Sequence, residues 1–274
     1  MYTIIGLGSA GCNIAEMFER GNYKVKLIDV DIDGENCFSL KAQKTPEDYE
    51  KNKPDLSEFF SDITYKVILL VGGSGKISGT ALQILNQIKH AELNVVYIRP
   101  DTELLGNTAK LQDRLTFNVL QEYARSGIFK SIILISNSII ENLVGDVSII
   151  EYNNTINKVI YNMVDNYLSM SEKEPIIDNS THPKEVSRII TIGVYDIEKN
   201  AEQLFYPFDF IDDKCYYFAI NENDLKSNGK LFKLIKDRMR EKVVDKTKIS
   251  YRIHSTKHEQ NYCFVVAYSK KIQE

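Results

Sequence analysis

The 274-residue chain carries 34 Lys and Arg against 38 Asp and Glu, a net charge of −4, with 43% hydrophobic and 26% charged residues. That is the composition of an ordinary soluble globular protein with room for two domains, and its interspersed charges give no general electrostatic reason to bind nucleic acid or an anionic membrane. Four scattered cysteines and four scattered histidines lack the paired spacing of a zinc or redox motif, no apolar run is long enough to cross a bilayer, and no signal peptide is visible; the expectation is a cytoplasmic protein with reduced thiols and no metal site built from these residues.

The first apolar run leads into IIGLGSAGCN (4–13) and then a segment of helical period, NIAEMFERG. A strand, a glycine turn and a helix in that order aim backbone N–H groups and the positive end of a helix dipole at one point, which stabilises an anion. Gly6, Gly8 and Gly11 have the spacing of the dinucleotide fingerprint, and the next apolar run, KVKLIDVD, ends in Asp29 and Asp31, where a ribose-binding acid falls. On these residues alone a nicotinamide-dependent oxidoreductase is the first reading. Residues 41–62 are polar with two prolines and read as a solvated excursion holding a helical turn at DLSEFF.

A third apolar run, YKVILLV, ends in a second glycine-rich turn, GGSGKISG (72–79), again followed by a helical pattern. It is not a Walker loop, because Lys76 is followed by Ile77 where a hydroxyl must reach magnesium. Two such loops closing two strands of one sheet can hold one phosphate chain from both sides, which a nicotinamide site does not need. The runs NVVYIRP and SIILIS, with the helical pattern NTAKLQDRLTFNVLQEYARSG between them, complete an α/β pattern of parallel strands covered on both faces.

From Val147 to Ser169, apolar residues including Ile149, Ile150, Ile156, Ile160 and Val164 recur at helical spacing and predict one long, largely buried helix. After the linker SEKEPIIDNSTHP the character changes. SRIITIGVYDI, KCYYFAI, KISYRIHS and YCFVVAYS read as strands, and NDLKSNGKLFKLIKDRMREKV as a strand exit and one amphipathic helix, an α+β unit.

Taken in order, these segments resemble the tubulin/FtsZ superfamily over nearly the whole chain. GLGSAGCNIAEMF looks like its first phosphate loop, VGGSGKISGTALQIL like its signature loop, YIRPDTELLGN like the segment that reaches the ribose, and LISNSIIENL like the segment after the next strand. The stretch through VSIIEYNNTINKVI leads into a central helix, and SRIITIGVY and YCFVVAYS resemble strands of the second domain. The resemblance implies a GTP-binding α/β domain over 1–146, a central helix over 147–170, a linker loop over 171–185 and a C-terminal α+β domain over 186–274. It further implies GTP or GDP with Mg2+ as ligands and head-to-tail self-assembly into filaments, with no adaptor or cargo indicated.

Carried over residue by residue, the resemblance assigns the phosphates to Gly6, Gly8, Ser9, Gly11, Cys12 and Asn13, and to Gly72, Gly73, Ser74, Gly75, Lys76, Ser78 and Gly79. Asp33 falls near phosphate or magnesium, Glu103 near the ribose, and Asn153 and Asn157 near the guanine, whose edge an amide can both donate to and accept from. Three departures stand out. Ile77 and Lys76 replace a glycine and a hydroxyl of the signature, Asn153 takes the place of a stacking aromatic, and the loop after the central helix, DNSTHPKEV, offers Asp178, Asn179 and Glu185 for water activation without a middle acid. The expectation is therefore a GTPase of weak or altered hydrolysis, with a non-hydrolysing structural or regulatory protein as the alternative.

Overall fold

Near-continuous runs of β-branched and aliphatic residues become strands buried on both faces, as a parallel sheet requires. The computed structural model describes residues 1–180, 186–244 and 246–274, in two units, Met1–Asn162 and Met163–Glu274. In the first unit Tyr2–Leu7 (β1) leads to Gly8–Ala15 (α1), Lys24–Val30 (β2), Cys37–Leu40 (β3) and Pro46–Lys51 (α2). Lys66–Gly72 (β4), Ala81–Gln87 (α3), Glu92–Arg99 (β5), Asn107–Arg125 (α4), Ser131–Ser136 (β6) and Asn137–Val144 (α5) follow. A 21-residue helix, Tyr152–Glu172 (α6), begins in the first unit and ends in the second.

The strands of the first unit lie in the order β3-β2-β1-β4-β5-β6, and every pairing is parallel. Ile4 and Ile5 of β1 and all of Val67–Val71 in β4 have no solvent exposure, so the sheet's centre is the core of this unit. The order reverses between β1 and β4, the switch point at which an open α/β sheet leaves a crevice beyond the carboxyl ends of its strands. Both glycine turns sit at that crevice.

The second unit contains Ile177–Asp178 (β7), Ile189–Asp196 (β8), Ala201–Leu204 (β9), Asp213–Asn221 (β10), Glu222–Ser227 (α7), Leu231–Glu241 (α8), Lys248–Thr256 (β11) and Tyr262–Ser269 (β12). Here β10 and β11 are parallel, joined by α7 and α8, while β12 pairs antiparallel with β8 and β10, and β7 and β9 pair antiparallel with β11 and β8. Tyr195, Tyr216, Phe218, Ile220 and Val265 pack with Ile235 and Met239 of α8 in its core. Below them, Glu202 on β9 receives hydrogen bonds from Lys214 and from the Tyr216 hydroxyl, the latter at 2.6 Å. Although burial opposes its charge, these partners hold its carboxyl below the ordinary glutamate range.

The structure departs from the sequence expectation in particular places. The central helix starts at Tyr152, not Val147, because Ser148 closes a turn on Glu151 (backbone N–H to O, 3.0 Å); Ile149 and Ile150 are consequently 95% and 91% exposed. The single C-terminal helix is two, α7 and α8, broken at Asn228–Gly229. DLSEFF makes one α-turn (Phe60 N–H to Leu56 O, 2.8 Å), but the polar excursion also holds α2, which starts from a Thr45 side chain capping the Asp48 N–H at 3.2 Å. No described helix is long and apolar enough to cross a membrane.

Candidate functional site

The first glycine turn is built by close approach. A Cβ on Gly6 would lie 2.7 Å from Cys12 Cα and from the Gly11 carbonyl oxygen, and one on Gly11 would lie 2.3 Å from the Leu70 carbonyl oxygen in β4. These two glycines therefore seat α1 flush against the sheet, the packing role of the fingerprint. Gly8 has φ +69°, a left-handed conformation that starts the helix directly at the strand end. No side chain caps α1, so its first-turn N–H groups, next to exposed Ser9 and Ala10, keep the donors an anion would take.

Around this turn the candidates separate. Cys12 is buried, its thiol pointing at the Gly6 and Ile28 carbonyls (3.4 and 3.6 Å). Burial pushes that thiol up to about 12, leaving Cys12 only its backbone to offer a ligand. Asn13 is exposed on α1. The Ser9 hydroxyl donates to Asp29 at 3.1 Å, so the acid at the end of β2 faces the turn. Asp33, by contrast, is exposed and accepts from the Gly34 N–H of its own turn at 2.9 Å.

The second turn meets the first. The Ile77 γ2 methyl lies 2.6 Å from the Cβ position of Gly8 and 3.6 Å from that of Gly75, and the Cβ position of Gly72 is 3.3 Å from the Ala10 side chain. A single aliphatic side chain thus spans the two loops. Ser78 is buried, donating to the Gly75 carbonyl at 2.7 Å and accepting from Gln112 of α4 at 3.2 Å, and a Cβ on Gly79 would sit 2.4 Å from the Pro46 carbonyl oxygen. Ser78 and Gly79 brace the loop. Its open tip is half-buried Ser74 with exposed Gly75 and Lys76.

Beneath Gly73 lies a buried ionic cluster that the sequence reading missed. Asp113 is 1% exposed, accepts from the Tyr97 hydroxyl at 2.7 Å and pairs with Arg99 Nε at 3.2 Å, while the Arg99 guanidinium covers Phe117 at 4.4 Å. The signal was present: Asp113 shares one helical stripe with the buried Phe117, Leu120 and Ala124, and an acid on an apolar stripe demands a partner. The cluster locks α4 to the end of β5, which leads into the proposed ribose segment.

At the far side of the crevice, Asp101 caps the Glu103 N–H at 3.0 Å, and Glu103 itself is exposed. Burial raises the Tyr152 phenol above its ordinary value, and its hydrogen bond to Glu141 and the charges of Glu141 and Asp101 add to that. Three further groups have unmet hydrogen-bonding capacity. Asn157 is half-buried and its carboxamide bonds no described residue, and among the described residues the buried Asn137 Oδ1 at the head of α5 and the buried Thr80 hydroxyl after the second turn have no partner either. Asn153 is exposed.

Uncapped helical donors, a glycine cradle at the switch point and unpartnered amides match the chemistry of a nucleotide. For magnesium, no group of three His, Cys, Asp or Glu side chains among the described residues is placed to hold a metal, so an ion there depends on phosphate oxygens and water for its remaining ligands.

Asp178 and Asn179 lie in the second unit. The Asn179 carboxamide oxygen accepts from the Tyr251 N–H at 2.7 Å. Asp178 accepts from the Ser180 N–H at 2.6 Å and pairs with Arg252 Nε at 3.2 Å; burial works against its charge, but the Ser180 and Arg252 contacts hold its carboxyl below the ordinary range. Glu185 falls outside the described residues.

No protein-family model matches the sequence, and no curated protein does. Solved structures do match the fold. An FtsZ dimer from M. jannaschii is similar with a TM-score of 0.70 at 13% identity, covering 98% of this chain and 88% of that one. A GTPγS-form protofilament of TubZ from Bacillus thuringiensis serovar israelensis has a TM-score of 0.69 at 14% identity, covering 97% and 86%. A four-stranded TubZ filament has 0.70 at 12%, covering 99% and 86%. The chain shares the fold of these FtsZ and TubZ structures, a parallel α/β unit followed by a largely antiparallel one.

Proposed function

We propose that this chain binds GTP between its two glycine turns and assembles head to tail with copies of itself into cytoplasmic filaments, the nucleotide lying at the junction. One observation carries the reading: the turns stand at adjacent carboxyl ends of β1 and β4, at the switch point, with Ile77 in contact across them. The neighbours of shared fold support it, since one is a GTPγS-form protofilament and another a filament. In this reading the N–H groups of residues 8–13 and 72–79 take the phosphates, and Asn157 and Asn137 take the base edge.

Right-angle light scattering of the purified protein with magnesium tests it. Scattering rises on adding GTP, and not with ATP or a nicotinamide dinucleotide. Asn157→Ala weakens binding of a fluorescent GTP analogue about tenfold, the cost of one or two hydrogen bonds, and narrows the preference over ATP. A response to the dinucleotide alone overturns the reading. A second reading, a filament or regulatory protein without appreciable hydrolysis, is favoured by the engagement of Asp178 and Asn179 with Arg252, Ser180 and Tyr251. Phosphate release during assembly separates the two, since steady turnover excludes the second.

A further inference from the structure

The chain distributes its charge unevenly along its length. Between residues 226 and 248 it carries nine Lys and Arg against three acids, whereas between 29 and 62 it carries ten acids against four lysines. The net charge of −4 conceals this. On α8, Ile235 and Met239 are buried, while Lys233, Lys236 and Arg240, with Lys230 just before the helix, are exposed at spacings that share one face. Beside them Phe232 is 41% exposed, with Lys236 Nζ 5.3 Å from its ring. Lys230, Lys233 and Lys236 make no ion pair with a described residue.

In the first unit a groove runs between α2 and α4. Its apolar lining includes Leu82, Leu115 and Val119, and its α2 side carries Glu47 and Glu50, exposed and without an ion-pair partner among the described residues. Its cavity of about 140 Å³ is close to the size that holds a benzene ring.

We propose that the α8 face of one copy docks on the α2–α4 groove of the next, with Phe232 in the cavity and Lys233 and Lys236 against Glu47 and Glu50. This rests on the filament reading and names the surfaces of that junction. The two surfaces differ, so the contact is heterologous and propagates instead of closing on itself as a two-fold dimer. Opposite charge favours encounter in the correct orientation and disfavours groove against groove. The groove wall also includes Ser78 and Gly79. Gln112, which lines it, bonds Ser78, and Gly79 is pressed against the Pro46 carbonyl; docking therefore bears directly on the second phosphate turn and couples the junction to the nucleotide.

Charge reversal with complementation tests the proposal. Lys233→Glu/Lys236→Glu in one variant and Glu47→Lys/Glu50→Lys in another are all at exposed positions, and each variant keeps the wild-type thermal melt and fluorescent-GTP binding. Alone, each raises the critical concentration for GTP-dependent scattering at least tenfold. Mixed in equal amounts they assemble again, because in a filament of alternating variants every junction pairs either the two reversed surfaces or the two unreversed ones. Phe232→Ala raises the critical concentration without changing nucleotide binding, and assembly weakens as salt passes about 0.15 M, where the Debye length is about 8 Å. Wild-type assembly with unaffected reversal variants, or no recovery on mixing, overturns this junction and leaves the filament reading standing. Wild-type protein that binds GTP but never assembles overturns both. Loss of binding to DNA or anionic vesicles in the Lys233→Glu/Lys236→Glu variant, with assembly intact, assigns the basic face elsewhere and overturns the proposal.

Discussion

Gly73→Ala destabilises the first unit by about 3 kcal/mol, from overpacking and from disturbing a buried ion pair, and under the proposed function abolishes binding of a fluorescent GTP analogue. The added Cβ falls 2.1 Å from Asp113 Oδ1 and 2.2 Å from the Tyr97 hydroxyl oxygen. Neither neighbour is the free end of a flexible side chain. Asp113 is held by Tyr97 and Arg99, and Tyr97 is fully buried, so the clash is relieved only by moving the loop or breaking the cluster. Gly106→Ala is the matched control, since nothing lies within 4 Å of its Cβ position; as the N-cap of α4 it costs at most about 1 kcal/mol. Urea unfolding followed by tyrosine fluorescence measures both. A Gly73→Ala protein as stable as the Gly106→Ala control shows that the cluster does not support the second turn.

Replacing His254 with phenylalanine stabilises the protein, and the gain grows as pH falls. His254 is 2% exposed on β11, stacks on Tyr217 with ring centroids 6.0 Å apart, and leaves both ring nitrogens without a hydrogen-bond partner among the described residues. Burial pushes its pKa down to about 4, with the charges of Arg252 and Lys173 adding and that of Asp178 opposing. Above about pH 6.5 the imidazole is neutral in folded and unfolded chains alike, and the only cost is the unpartnered nitrogens, about 1 kcal/mol. Between about 6.5 and 4 the unfolded chain takes up a proton that the folded one refuses, so stability falls by up to about 1.4 kcal/mol per pH unit. Below about 4 this residue adds nothing further. His254→Phe keeps the stacking and removes the titration; its advantage therefore rises from about 1 kcal/mol at pH 7.5 toward about 3–4 kcal/mol at pH 4.5. Melts at both pH values decide it, and a constant difference shows that His254 protonates freely in the folded protein.

Much of the first unit was legible because its determinants are local. Apolar runs such as YKVILLV could only be strands buried on both faces, and the 19-residue helix α4 follows its apolar period closely. The short edge strands β3 and β9 were not legible, since four residues carry too little pattern to reveal a partner. Ile149 and Ile150 misled, because they continue a helical spacing that the Ser148 turn interrupts. Within the candidate site, the positions of the glycine turns could be read, but not their division of labour: Gly11, Gly73 and Gly79 abut β4, the Asp113 cluster and α2 respectively.

By itself the sequence determined that two strand–turn–helix units, each with a glycine turn able to meet an anion, precede a long helix and a strand-rich second unit. Periodicity and glycine spacing act within about ten residues, so they need no fold to be read. Only the tertiary structure decided that β1 and β4 are neighbours at the switch point, that Ile77 reaches Gly8, and that Asp113 is buried beneath Gly73. Those relations join residues tens of positions apart, and they exist because strand pairing and close packing bring such residues within a few ångströms.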